Sequence, residues 1–259
     1  MNEWVELGRQ VRKYVNPETF PVAVRFFRTP DGIPSGARRP QKDLGVRIAP
    51  CQAAAMARRY GWTVAVGKED VGCAIAAHTY GWERLEEQSA AVRFMTRMNY
   101  ARDEEAAREA LVYFRRLEPP APDQFVVYSP LEWTRVEPDV VLVYVNPAQL
   151  MRLIHAGTHR SGKPIESAFS GRAASCTEGV VAACLDQTLK IVIPGNGDRV
   201  WGGCQDHEVA MAIPAGRLVE VVEGLEKTHE RGIRYPIPTY LRYSPEVAFS
   251  LPLADIFKL

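Results

Sequence analysis

One arrangement of residues occurs twice along the chain, and this repetition constrains the fold more than any single motif. The first copy begins with a β-branched, strand-like run at residues 21–27, followed by a Gly- and Pro-rich basic loop at 29–40. Cys51 then opens a helical segment that runs to Arg59, a short apolar strand covers 63–66, and a turn from Gly67 through Asp70 and Gly72 ends at Cys73. The second copy begins with the strand-like run at 139–145, apolar from Val140 onward, and continues through a helical insert near 147–155 and a Gly/Ser loop. Cys176 opens its helix, a strand covers 190–193, and the turn Pro194-Gly195-Asn196-Gly197-Asp198-Arg199 leads through Gly202 and Gly203 to Cys204. Both copies therefore read strand, loop, cysteine opening a helix, strand, Gly-rich turn, Gly-Cys. Cys51 and Cys73 are 22 residues apart and Cys176 and Cys204 are 28 apart, so the second copy is longer by a few residues. Such self-similarity points to two related units packed together.

Short β-branched runs alternating with helical patterns place the chain in the α/β (or α+β) class. Residues 1–122 hold the first repeat and a helical insert, and 123–259 hold the second repeat and a C-terminal helix; the two are expected to form one compact unit. The insert covers roughly residues 88–117, with Asp103 placed to cap the good helix formers from Glu104 to Leu111. Pro119, Pro120 and Pro122 end it and mark the best linker. Apolar spacing at Trp4, Leu7, Val11 and Tyr14, and again at Leu218, Val221, Val222 and Leu225, predicts an amphipathic helix at each end.

Lys and Arg number 32 against 31 Asp and Glu, so no charge field recruits nucleic acid or an anionic membrane face. No apolar run approaches the ~20 residues of a bilayer span, and the first residues lack the basic start and apolar stretch of a secretory signal. The expected setting is cytoplasmic, where thiols stay reduced and five cysteines do not make a disulfide framework. No C-x-x-C pair, G-x-S-x-G or H-E-x-x-H is present, which removes the usual local zinc-ribbon, serine-hydrolase and zinc-protease signatures.

If the repeats pack about a pseudo-twofold axis, Cys51, Cys73, Cys176 and Cys204 converge at their junction. Four thiolates suit an iron–sulfur cluster or zinc. Zinc sites usually draw ligands in close pairs, absent here, so a [4Fe–4S] cluster is the first expectation and zinc the second. The use would be electron transfer to a redox partner protein, or redox chemistry on a small-molecule substrate. Single cysteines are more often small core hydrophobes, the reading given to Cys184 among Val180, Val181, Ala183 and Leu185. Two other functions compete. A small anion would be held by Arg172, Ser175, Asn196 and Arg199, with Ser175 otherwise a helix cap and 194–199 otherwise a tight loop. Alternatively, Cys176 would act as a nucleophile at a helix start. Arg38-Arg39 and Arg58-Arg59 read as solvated surface pairs, His207 as a surface residue or supporting donor, and Glu69-Asp70 and Asp206-His207-Glu208 as weak candidates for proton relay.

Several segments together resemble the prokaryotic family known as domain of unknown function 169. They are residues 20–24, Cys51-Gln52-Ala53, Gly67-Lys68-Glu69-Asp70, 127–132, 138–141, 146–153, Ser175-Cys176-Thr177-Glu178, 194–199 and 232–236. The resemblance spans about residues 5–245. It implies an independently folding prokaryotic cytosolic protein whose cysteine segments belong to the family pattern, and it carries no catalytic assignment.

Overall fold

A computed structural model describes residues 2–83, 89–118, 121 and 123–237. Six strands form one antiparallel sheet: β1 (Val22–Phe27), β2 (Val64–Val66), β3 (Phe125–Pro130), β4 (Val140–Val145), β5 (Lys190–Val192) and β6 (Val209–Pro214), in the order β2-β3-β1-β4-β6-β5. The order is symmetric about its middle. Strands β1 and β4 pair antiparallel at the centre, and each half adds its third strand and then its second. The registers agree as well: Val22 faces Pro130 and Val140 faces Pro214, while Val66 faces Val126 and Val192 faces Ala210. The repeat written in the sequence is thus a repeat of strand pairing. Strands β3 and β6, which complete each copy, were not among the expected strands.

Side-chain alternation divides the central strands between two cores. Val140, Leu142 and Tyr144 of β4 enter a core with Val22, Val24, Ala210 and Ala212, while Val141, Val143 and Val145 enter the opposite one with Met211 and Ile213. All six β4 residues are buried, as a strand covered on both faces requires. The second core is roofed by α1 (Glu3–Val15), α6 (Pro147–Thr158) and α9 (Ala215–Glu230). Both terminal apolar stripes fall where their spacing places them, with Leu7, Val11 and Tyr14 of α1 and Leu218, Val221 and Leu225 of α9 buried. Gly224 lets α9 approach α6 so closely that a Cβ there would run into the Ala156 carbonyl oxygen. Gly224→Ala is expected to cost about 1–3 kcal/mol by forcing the helices apart, seen as a lower Tm; an unchanged melt would contradict this contact.

The first core is covered by α2 (Pro50–Tyr60), by α3 (Ala74–Thr79), and by a π-helical stretch at Ala174–Val181 that runs into α7 (Ala182–Asp186). The expected insert helix is two helices, α4 (Ser89–Arg97) and α5 (Glu104–Val112), with Asn99 in the left-handed region (φ 53°) between them. Asp103 caps α5, accepting from the Ala106 N–H at 2.8 Å. These helices pack with Ile75 in a small separate core. Pro119, Pro120 and Pro122, the expected linker, lie outside the described residues, as do Gln88 and Pro238.

The π-helical stretch explains part of the length difference between the copies. Helices α2 and α7 both end on a left-handed cap, Gly61 and Gln187, each three residues before the next strand. Ten residues separate Cys51 from Gly61, and eleven separate Cys176 from Gln187. The additional residue is absorbed by i→i+5 winding, so both cysteines keep equivalent places.

Candidate functional site

Helix α2 begins on Pro50, whose fixed φ suits the first helical position, and Cys51 is the second residue. Cys176 lies near the start of the π-helical stretch, entered through Ala173 in the left-handed region (φ 50°), an uncommon conformation outside glycine. Cys73 is the N-cap of α3. Three helix starts therefore bring three thiols to one cavity of about 40 Å3, whose walls include Cys51, Cys73, Cys176 and Asp198. Its remaining lining is mostly apolar: Ile75, Ala76, Phe94 and Trp201, with Tyr100 and Arg172 at the side.

The rings of Phe94, Tyr100 and Trp201 form a cover. Phe94 meets Tyr100 and Trp201 at 6.0 Å between centroids in each case. Two hydrogen bonds fasten Tyr100: Asn196 Nδ2 donates to its hydroxyl at 2.7 Å, and Arg172 Nη1 donates to its carbonyl at 2.8 Å. On the sheet side, Cys51 and Cys176 face the buried phenols of Tyr80 and Tyr128, whose oxygens are 2.6 Å apart.

Burial sets the protonation of the thiols. It pushes Cys51 and Cys176 far above an ordinary thiol, with Asp198 and the neighbouring cysteines adding in the same direction, and it raises Cys73 too. These thiols are therefore neutral at physiological pH. Cys51 donates weakly to the Gly197 carbonyl at 3.6 Å and Cys176 to that of Ala173 at 3.5 Å. A nucleophilic role for Cys176 needs a thiolate, and burial works against one.

Asp198 closes the Gly-rich turn from within. Its carboxylate accepts the Gly195 N–H at 3.0 Å and the Ser175 N–H at 3.4 Å, and the Ser175 hydroxyl donates to it. The same device appears in the first half, where Asp70 accepts the N–H of Gly67, three residues earlier, at 3.0 Å. Asp70 also accepts from Gln41 N at 3.0 Å and from Arg39 Nε at 2.9 Å, which occupies it structurally. Ser175 is neither a helix cap nor a free anion contact. The turn itself is not a simple loop: it winds into a short helix, α8 (Asn196–Val200). Gly195 permits this packing, since a Cβ there would stand 2.6 Å from the Gly171 carbonyl oxygen.

The other sequence candidates are dispersed. Cys204 does not line the thiol cavity; it is buried and accepts from Arg58 Nη2 at 3.7 Å. Its thiol is pushed up to about 12 by burial, against the opposing charge of Arg58. Arg58, expected on the surface, is only 1% exposed, stacks on Tyr144 at 4.1 Å and forms a two-point ion pair with buried Glu208, one contact at 2.9 Å. Glu208 is thereby a structural partner rather than part of a proton relay. Arg199 turns away to the Gln205 carbonyl at 2.7 Å, and His207 is exposed near Glu18. Cys184 packs at the edge of the first core. The anion constellation is therefore divided: Arg172 and Ser175 reach the thiol cavity, Asn196 holds its cover, and Arg199 faces elsewhere.

Among the described residues, no three His, Cys, Asp or Glu side chains are grouped to hold a single metal ion, and no helix is long and apolar enough to cross a membrane. Residues 10–224 match the sequence model of the uncharacterised ArCR family, domain of unknown function 169. An uncharacterized protein of Methanocaldococcus jannaschii is 25% identical over 206 residues, covering 79% of this chain and 86% of the relative. No solved structure matches the chain.

Proposed function

The chain belongs to the domain of unknown function 169 family, and from the site that its fold builds we propose an iron–sulfur protein acting in electron transfer or in redox chemistry on a small molecule. The observation that carries this reading is the meeting of Cys51, Cys73 and Cys176, from both halves of the chain, in one cavity. A cluster is wider than an ion and accepts thiolates spread over separate helix starts, which fits three cysteines not grouped for a single metal. Zinc is the weaker choice on the same ground. The residues at hand suit a cluster in other ways. N–H groups at the starts of α2 and of the π-helical stretch would favour thiolates and donate to cluster sulfurs once the thiols are deprotonated. Arg172 offsets negative charge, while Ile75, Phe94 and Trp201 exclude water. Three cysteines leave one position of a [4Fe–4S] unit without a thiolate from this cavity; Cys204, tied to Arg58, is not assigned to it. When bound, such a group supplies one-electron transfer.

A cavity of about 40 Å3 holds little more than solvent. A cluster would need more room than this, which the cover of Phe94, Tyr100 and Trp201 would have to yield. Loading also requires the thiols to lose protons that burial makes them keep, so assembly weakens as pH falls. Protein isolated without oxygen, or reconstituted with ferrous iron and sulfide over a pH series, is expected to be brown and to load less at acidic pH. Colourless, iron-free protein at every pH would overturn the reading.

A further inference from the structure

A second cavity, of about 380 Å3, opens between the loop at 34–38, the end of α2 and the single helical turn Leu131–Trp133 that follows β3. Its size falls in the range of small-molecule sites, and it shares no lining residue with the thiol cavity. The lining holds two arginines, Arg38 and Arg135, and no acidic residue. Among the described residues, neither guanidinium makes an ion pair or a hydrogen bond. Arg38 lies over the ring of Trp62 at 3.9 Å, a stack that steadies the guanidinium and leaves its N–H donors unused. Ser129, at the end of β3, lines the same cavity at 4% exposure, and its hydroxyl also has no hydrogen-bond partner. Arginine donors without an acceptor suit an anion. Two positive charges with no carboxylate beside them match a dianion better than a carboxylate, and a phosphate monoester carries nearly two negative charges at neutral pH. Another wall is aromatic. Trp133 is 54% exposed yet held in place, its ring 4.7 Å from that of Phe20 and so close to Gly61 that an added Cβ there would run into it. A fixed indole left open to a cavity is a surface for a flat ring. We infer that this cavity binds a ring-bearing phosphate monoester of the nucleoside monophosphate kind, its phosphate held by Arg38 and Arg135 and its ring against Trp133.

Calorimetric titration of the full chain with adenosine and uridine monophosphates and with phenyl phosphate tests this, with inorganic phosphate and benzoate for comparison. At least one ester is expected to bind saturably, about tenfold or more tighter than inorganic phosphate, and tighter than singly charged benzoate. Arg38→Gln and Arg135→Gln, both at exposed positions, are each expected to weaken that ester about tenfold. Trp133→Leu is expected to bring the ester toward the affinity of inorganic phosphate while leaving inorganic phosphate itself unchanged, which separates loss of the ring contact from damage to the fold. No saturable binding by any ester, equal affinity for inorganic phosphate or benzoate, or full ester affinity in any of the three variants would refute the assignment.

Discussion

Cys51→Ser, Cys73→Ser and Cys176→Ser are each expected to abolish most of the visible absorbance and iron of anaerobically prepared protein. Cys184→Ser is expected to leave both intact. Serine keeps the shape of the side chain but is a poor ligand for iron in a cluster built on thiolate. The three sensitive residues share one cavity, whereas Cys184 sits at the edge of the core beyond it. Cys204→Ser belongs with the retaining variants, because its sulfur contacts Arg58 rather than the cavity. Iron and absorbance measured across the five variants give the comparison. Equal loss in Cys184→Ser, or full retention in any of the three cavity variants, would contradict the assignment.

Glu208→Ala is expected to lower stability by about 3–5 kcal/mol, the cost of leaving a buried guanidinium uncompensated. For a chain of this size that is a fall in Tm of roughly 6–20 °C. Arg58 loses a two-point ion pair, and Arg59, which reaches the same carboxylate at 3.3 Å, loses its partner. Replacing both members together, as in Arg58→Met with Glu208→Leu, is expected to restore most of the loss. The pair also has a pH signature. Burial opposes the charged form of Glu208, but hydrogen bonds from Arg58 and from the Gln205 backbone outweigh it and hold the carboxyl below its ordinary value. A depressed carboxyl contributes stability that is complete above the ordinary glutamate pKa of about 4.3 and is lost as pH falls through the lowered value. Urea melts at descending pH are expected to show this loss in the native protein and its absence in Glu208→Gln. A Glu208→Ala melt within a degree of native would contradict the buried pair.

Much of this fold is legible in the sequence because local chemistry states it. The run at 140–145 is apolar at every position, as a central strand must be, and Pro50 ahead of Cys51 marks a helix start that the structure contains. Asp103 caps α5 where its spacing places it. Strand β6 was hidden because Ala210, Met211 and Ala212 have little β preference and gain their place from packing. The burial of Arg58 was hidden for another reason: its partner Glu208 lies 150 residues away, so nothing local separates it from a surface arginine. At the site, the pairing of Cys51 with Cys176 follows from the repeat. The parallel between Cys73 and Cys204 does not hold. Cys73 follows Asp70 by three residues and Cys204 follows Asp198 by six, and the added turn of α8 carries Cys204 past the cavity to Arg58. The aromatic cover was illegible because Phe94, Tyr100 and Trp201 come from the insert and from the far side of the second turn.

Iron and acid-labile sulfide, quantified per chain in protein purified without oxygen, address the cluster most directly. Expected are about four of each, both lost when any one of Cys51, Cys73 and Cys176 is replaced by serine. Protein without iron or sulfide, before and after anaerobic reconstitution, would show that Cys51, Cys73 and Cys176 are simply packed together.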